Sequence, residues 1–186
     1  YLKDFQDISE KISSAKRLDD WYEINHRLTD WMVKFDFLGD QGLGEILDEQ
    51  HSEANRCFSA FIENEYINLI RDTSEAVTSP KILDTHVLPL LKENRDVVLI
   101  VIDCLRVDQW KALEKILYSL FNIKTNFHLS LLPTATPFSR NSIFSGLYPD
   151  EFPEKFPNEW GKMIRDETSM NRYESEFLEA YLKRNN

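Results

Sequence analysis

The chain has 186 residues, a hydrophobic content of 42% and a formal net charge of −10. This hydrophobic content supports a real core and excludes wholesale disorder, and the negative charge argues against a general nucleic-acid-binding surface. The longest strongly apolar run, residues 97–102, is far too short to span a membrane, so we expect no membrane insertion. Cys57 and Cys104 lack zinc-finger spacing and no secretion signal is visible, which favours the cytoplasm.

Residues 1–75 are predicted to form three amphipathic helices. The second helix opens at Asp20 and Glu23, which resemble a capping box, and Gly39 is the predicted end of that helix. The third helix is predicted from about residue 43 to residue 70. Three such helices with short connections predict an antiparallel bundle. A cofactor-binding bundle is the alternative, but its apolar stripes would then carry inward histidines or paired carboxylates, which are missing here.

Residues 76–186 have a different pattern, in which strands and helices alternate. Residues 97–103 are apolar except for the last, an aspartate, as expected of a parallel strand covered on both faces. A crossover helix follows, and residues 125–132 alternate in polarity as a second strand does. Another helix is predicted to end near Gly146, and a charged helix forms the tail. We therefore predict an α/β domain for this part of the chain.

The predicted sheet is incomplete. A continuous apolar strand is normally central in its sheet and needs neighbours on both sides, but the sequence offers it only one good partner. The first residue is Tyr1 rather than Met. We expect the sequence to be a piece of a longer protein and the α/β domain to continue beyond Asn186.

Asp103 lies where the first predicted strand ends, at the edge where open α/β sheets bind their ligands. A carboxylate in this position can hold a metal cation. The alternative is that Asp103 caps the next helix, but Asp108 precedes that helix more closely and suits capping better. We therefore favour a metal ligand at Asp103.

Thr136 precedes Pro137 and is predicted to be the N-cap of a helix with proline in its first turn. Its hydroxyl would lie at the positive end of the helix dipole, beside free N–H groups that suit a phosphate. A hydroxyl nucleophile also needs a metal or a base to take its proton. An ordinary capping threonine is the alternative, and local sequence alone favours it.

Longer motifs reverse that preference. Thr136-Pro-Phe-Ser-Arg140, followed by Gly146-Leu-Tyr-Pro149, resembles the nucleophile segment of the alkaline phosphatase superfamily. Nucleotide pyrophosphatases and phosphodiesterases of that superfamily have a threonine nucleophile in this place and a similar Gly-Leu-Tyr-Pro ending. Sulfatases need a modified cysteine or serine there, so the threonine argues against a sulfatase.

Three segments resemble the PglZ domain, in particular that of the PorX-type response regulators of Bacteroidetes. They are DCLRVDQW at 103–110, LPTAT at 132–136 and SRNSIFSG at 139–146. The helical first part also resembles that family, in which a receiver domain is followed by a three-helix bundle and a PglZ domain. The resemblance implies an incomplete alkaline-phosphatase-like α/β domain preceded by an all-α three-helix bundle.

The same resemblance implies the site. Asp103 would bind zinc, and Thr136 would be the nucleophile and itself a metal ligand in a site of two zinc ions. Arg140 and Asn141 would orient the substrate phosphate or the turn. A structural ion pair for Arg140 and a mid-helix polar residue for Asn141 are the alternatives.

The family holds its metals with further Asp and His residues. The spacing of the four histidines does not match these missing ligands: His26, His51, His86 and His128. We therefore expect the 186-residue chain by itself to be inactive.

The leading functional hypothesis is a two-component response regulator whose PglZ domain is a zinc-dependent phosphodiesterase. Its expected substrates are nucleotide-type phosphodiesters, and the resemblance links it to regulation of the type IX secretion system. The alternative is a non-catalytic signalling platform that binds a cytoplasmic domain of the secretion system or a sigma factor. A second copy of the chain, in a homodimer, is a further candidate partner. A dinucleotide-binding or P-loop protein is excluded because no glycine-rich turn follows residues 97–103.

Overall fold

The computed structural model describes residues 2–38, 41–71, 74–166 and 170–185. The chain divides into two compact units. The first comprises residues 1–74 and 104–126, and the second comprises residues 75–103 and 127–186. The predicted division into domains at residues 1–75 and 76–186 stays a prediction.

Helices account for most of the regular structure. In chain order they are α1 (Leu2–Ser14), α2 (Leu18–Leu38), α3 (Gln41–Leu69), α4 (Leu88–Lys92), α5 (Val107–Leu117), α6 (Thr136–Ser145), α7 (Phe152–Lys155), α8 (Pro157–Arg165) and α9 (Glu174–Asn185). Short 3₁₀ turns at Ser79–Lys81 and Pro149–Glu151 and a π-helical turn at Leu83–Val87 complete the set. Gly39, the predicted end of α2, lies outside the described residues. None of the described helices is both long and apolar enough to cross a membrane.

Helices α1, α2 and α3 pack around one hydrophobic core, which confirms the predicted bundle. Its buried side chains come from all three helices: Phe5, Ile8, Ile12, Trp21, Ile24, Leu28, Trp31, Phe35, Leu47 and Ala54. Aromatic pairs join the helices, with ring centroids 5.4 Å apart for Phe5 and Trp31 and for Trp21 and Phe58. Such pairs stabilise a core by about 0.5–1.5 kcal/mol beyond their buried area.

Helix α2 begins at Leu18, two residues before the predicted start. Asp20 lies in its first turn, and one carboxylate oxygen accepts hydrogen bonds from the backbone N–H groups of Lys16 and Arg17, at 2.9 and 2.8 Å. These two hydrogen bonds hold the pKa of Asp20 below its ordinary value. Asp20 therefore caps the helix by reaching back, instead of opening it.

Helix α5 belongs to the first unit, although its pattern predicts a helix that covers a sheet. Lys111 is buried, and its ammonium donates to the backbone carbonyl of His26 at 3.1 Å and to the carboxylate of Asp30 on α2. The apolar side chains of Leu113 and Ile116 are exposed instead, as is that of Leu120 just after the helix. An apolar side chain is buried only where it meets another apolar surface, and the described part of the chain contains no sheet for α5 to cover.

The two predicted strands are absent from the described part of the chain. Residues 97–102 have no regular secondary structure, and Val98 and Ile100 are 85% and 75% exposed. The only β pairing among the described residues is an isolated parallel bridge between Thr78 and Leu129. A buried parallel strand needs a hydrogen-bonded partner along its length, and one bridge cannot supply it. Residues 97–103 are therefore not the buried strand that their pattern predicts, and the α/β character is not shown.

Helix α9 joins two small hydrophobic cores of the second unit. Tyr181 packs with Leu83 and Val87 in one core, and Phe177 packs with Phe152 and Met163 in the other. Phe177 and Tyr181 are four residues apart and so lie on one face of the helix. This helix confirms the prediction that a charged helix forms the tail, and its buried face shows how the helix is held.

Candidate active site

Helix α6 contains most of the predicted site residues and begins at Thr136. Ala135 holds the N-cap position in an extended conformation, and Pro137 lies in the first turn. Thr136 is thus the first helical residue instead of the predicted N-cap, and the helix begins one residue earlier than predicted. The prediction that the helix ends at Gly146 is confirmed, because Gly146 is its C-cap with φ at +66°.

The N-terminus of α6 offers fewer N–H groups to an anion than the sequence predicts. The N–H groups of Phe138 and Ser139 donate to the carbonyl of Ala135, at 3.0 and 3.1 Å, and Pro137 has no N–H. The hydroxyl of Ser139 also lies 3.0 Å from that of Ser130, which ties the preceding loop to the first turn. The helix end is therefore less suited to an anion than the sequence predicts.

Asp103 lies beside α6. Nη1 of Arg140 donates to Oδ2 of Asp103 at 3.5 Å. Thr136 and Arg140 are four residues apart, so both occupy one face of the helix, and helical side chains lean toward the N-terminus, here toward Thr136. The contact therefore places the predicted metal ligand beside Arg140, one helical turn after the predicted nucleophile.

The alternative role of Asp103, as a helix cap, is not realised. Helix α5 begins at Val107, and Arg106 holds its N-cap position. The N–H of Arg106 donates to the side-chain oxygen of Gln109 at 3.0 Å, and its guanidinium pairs with Asp108. Asp108 is therefore a first-turn residue held by Arg106, so the predicted cap at Asp108 is wrong.

Arg140 is paired more closely with Glu174 of α9 than with Asp103. Its Nη2 donates to Oε2 of Glu174 at 2.6 Å, compared with 3.5 Å for the contact with Asp103. The Glu174 side chain is 17% exposed, whereas that of Asp103 is 44% exposed. The hydrogen bond with Glu174, followed by the contact with Asp103, raises the pKa of Arg140. Arg140 thus forms the ion pair that the sequence leaves open as an alternative.

Asn141 is turned into the protein and is only 1% exposed. Its Nδ2 donates to the backbone carbonyl of Met170 at 3.0 Å, which fastens the segment before α9 to α6. A side chain buried in this way does not face a substrate. The geometry therefore favours the structural alternative for Asn141, and its substrate role stays a prediction.

The far end of α6 is also held by α9. Nη2 of Arg184 donates to the carbonyl of Ser145 at 2.9 Å, and the ring of Tyr181 lies against Gly146. The hydroxyl of Tyr181 donates to the carboxylate of Asp84. Burial, followed by that hydrogen bond, raises the pKa of Tyr181.

Sequence reasoning missed Glu174, Tyr181 and Arg184 as parts of the site's support. A signal for Glu174 is present in the sequence. It precedes Phe177 by three residues and Tyr181 by seven, so it lies on the face that the helix buries. A carboxylate on a buried face indicates a charged partner, because an unpaired buried charge is strongly unfavourable.

The donors near α6 suit a hard or borderline cation. Asp103 offers a carboxylate and Thr136 a hydroxyl, and both are oxygen donors of the kind that such cations bind. Among residues whose placement is described, no group of three or more His, Cys, Asp or Glu side chains gathers in a way that could hold a metal. The two oxygens therefore fit as part of a zinc ligand set, which usually numbers four.

Two family models match the chain. Residues 1–70 match the PorX response regulator linker domain, and residues 82–184 match the BREX system PglZ alkaline phosphatase-like domain. The second match alone covers more than half of the chain. The order of linker and PglZ domain is the one that the sequence motifs predict, and it is confirmed. No curated protein matches the chain.

Proposed function

Because the chain belongs to the PglZ family of alkaline phosphatase-like domains and carries a PorX-type response regulator linker, we propose that it serves a response regulator whose output is hydrolysis of phosphodiesters. The proposed substrates are nucleotide-type phosphodiesters, and the proposed fold of the complete output domain is α/β. The observation that carries this proposal is the contact of 3.5 Å between Arg140 and Asp103, which brings a carboxylate to the helix that begins at Thr136.

Thr136 is the proposed nucleophile. Its Oγ attacks phosphorus, a P–Oγ bond forms, and the bond from phosphorus to the leaving alkoxide breaks, so that the alcohol departs with a proton. Water then attacks the same phosphorus, the P–Oγ bond breaks, and the phosphomonoester leaves as a proton returns to Oγ. The first turn of α6, pinned through Ser139 and Ser130, holds the Thr136 backbone in place for both steps.

Asp103 and the Thr136 hydroxyl are the proposed protein ligands of zinc, in a site that holds two zinc ions in the complete domain. Bound zinc would lower the pKa of the hydroxyl and offset the negative charge that develops on the phosphoryl oxygens. We propose that Arg140 and Asn141 position α6 and its ligands, because Arg140 is paired with two carboxylates and Asn141 is buried.

The test is hydrolysis of bis-nitrophenyl phosphate by the full-length protein with added zinc. Thr136→Ala should reduce turnover at least about a hundredfold. The variant cannot form the covalent intermediate, and direct attack of water on the substrate would be much slower. Thr134→Ala removes the same hydroxyl two residues earlier, at an exposed position, and should retain activity. Unchanged turnover in Thr136→Ala would contradict the assignment of the nucleophile.

A second candidate function is a non-catalytic signalling platform in the cytoplasm. The observation in its favour is the exposed apolar segment at residues 97–102, which could bind a secretion-system domain, a sigma factor or a second copy of the chain. This function predicts that Ile100→Ser abolishes the regulatory output while Thr136→Ala leaves it unchanged. The enzymatic function predicts the reverse.

A further inference from the structure

Arg140 lies between two carboxylates that do not share it equally. Its Nη2 is 2.6 Å from Glu174, on α9, and its Nη1 is 3.5 Å from Asp103. The closer carboxylate is also the more buried one, at 17% exposure compared with 44%. Attraction between charges strengthens at short distance and away from water, so Glu174 is the dominant partner of the guanidinium.

The contact between Arg140 and Glu174 makes only one of the two hydrogen bonds that a guanidinium and a carboxylate can form with each other. Nε of Arg140 and Oε1 of Glu174 are both buried, and neither has a hydrogen-bond partner within the part of the chain that the structure describes. Nε and Nη2 lie on one edge of a guanidinium, and that edge matches the two oxygens of a carboxylate. A small rotation of Arg140 toward Glu174 would thus pair both atoms and form a bidentate contact.

We propose that Glu174 is a positioning residue that sets the affinity of Asp103 for a metal cation. A guanidinium beside Asp103 repels an incoming cation and occupies one of the carboxylate oxygens. Glu174 neutralises that guanidinium and offers it the bidentate contact, so that Asp103 is released when the cation binds. The inference rests on the proposed function in one respect, namely that Asp103 binds a metal.

A purely structural role for Glu174 is the competing explanation. In that case the ion pair only fastens α9 to α6, and its loss would lower the stability of the protein without a specific effect on metal binding. The two explanations differ in their prediction for zinc affinity at equal folded content.

The experiment measures zinc affinity of the full-length protein by competition with a chromophoric chelator. Glu174→Gln removes the charge but keeps the size, and should weaken zinc binding about tenfold, or about 1.4 kcal/mol. Glu174→Asp retains the charge and should stay within about threefold of the wild type. Glu179→Gln, on an exposed turn of the same helix, makes the same change in net charge and should leave affinity unchanged. Circular dichroism establishes the folded content of each variant.

Arg140→Met separates an effect through Arg140 from a direct one. With the guanidinium removed, zinc should bind at least as tightly as in the wild type, and adding Glu174→Gln should then weaken binding about threefold or less. An equal effect of Glu174→Gln in both backgrounds, or weaker zinc binding by Arg140→Met alone, overturns the proposal. The zinc affinity of Arg140→Met alone decides the matter even if Glu174→Gln does not fold.

Asp103→Asn distinguishes failure of this inference from failure of the proposed function. If zinc binding by the wild type does not depend on Asp103, the proposed metal site is wrong and this inference falls with it. If binding depends on Asp103 but not on Glu174, only this inference is wrong.

Discussion

Replacing Gly146 by alanine is expected to loosen the packing of α9 against α6. Gly146 has φ at +66°, a left-handed conformation that residues with a Cβ rarely adopt. A Cβ at this position would lie 2.8 and 2.9 Å from Cδ2 and Cε2 of Tyr181. Tyr181 is 1% exposed and is held through its hydroxyl by Asp84 and over its ring by Arg184, so it cannot move aside easily.

The magnitude follows from three terms. The left-handed conformation costs alanine about 1–2 kcal/mol, and overpacking against a fixed ring costs about 1–3 kcal/mol. The smaller conformational freedom of alanine in the unfolded chain offsets about 0.4–1 kcal/mol. Gly146→Ala should therefore lower the free energy of unfolding by about 1–5 kcal/mol, a large share of the roughly 5–15 kcal/mol typical of a folded protein.

The assay combines urea unfolding with amide hydrogen exchange. Gly146→Ala should unfold at lower urea, and the amides of α9 and of the last turn of α6 should exchange faster. Gly44→Ala is the matched control, because a Cβ there meets no atom within 4 Å in the interior of α3. It should raise stability by about 0.5–1 kcal/mol. Wild-type stability together with unchanged exchange in α9 would refute the account of Gly146.

Two further predictions concern the first unit. Asp20→Ala should lower the free energy of unfolding by about 1 kcal/mol at pH 7. Because the folded-state pKa of Asp20 is lowered, this contribution is complete above about pH 4 and disappears as the pH falls through the lowered value, so urea unfolding at pH 7 and pH 3 should give a smaller difference at the acidic pH. Lys111→Ala should lower the free energy of unfolding, measured in urea, by about 1–3 kcal/mol, because it removes a buried ammonium that donates to two acceptors. Lys115→Ala, at an exposed position of the same helix, should lower it by less than about 1 kcal/mol. Equal effects of these two lysine substitutions would contradict the burial argument.

The helices of this chain are predictable because their signals are local. The apolar side chains that recur at helical spacing in the bundle helices are buried as expected, and α6 ends at Gly146, where the sequence predicts. The detail of capping is less predictable. Asp20 has the right residue type for a cap, but its partners precede it, and Arg106 caps α5 in place of Asp108.

The strands are not predictable in the same way, because a strand depends on partners that are distant in sequence. Residues 97–102 have the composition of a buried strand, but the structure describes no ladder beside them, and four of their six side chains are exposed: Val98, Leu99, Ile100 and Ile102. An apolar run indicates only that burial of its side chains would be favourable. Whether it is buried depends on a neighbouring surface, which local sequence does not specify.

The residues of the candidate site also differ in how far the sequence predicts them. Thr136 and Asp103 are predicted from motifs, since the chemistry of a nucleophile and of a metal ligand restricts residue type and spacing. Glu174 does not belong to any of these motifs, and its contact with Arg140 forms only because α9 packs against α6. Its position on a buried helical face is a weak local signal, and the identity of its partner is a matter of tertiary structure.

Helix α6 is held by α9 at its middle and at its C-terminal end, and this arrangement links the stability of the fold to the proposed chemistry of the site. In the middle of α6, Arg140 reaches Glu174, and at the end the carbonyl of Ser145 accepts a hydrogen bond from Arg184. A helix fastened at two points cannot tilt or slide without breaking one of them, so Thr136 is presented from a fixed axis. The glycine at position 146 is what lets α9 approach closely enough for both contacts to form. The charged tail of the chain thus supports the helix that begins at the proposed nucleophile, and its Glu174 pairs with the same guanidinium that contacts Asp103.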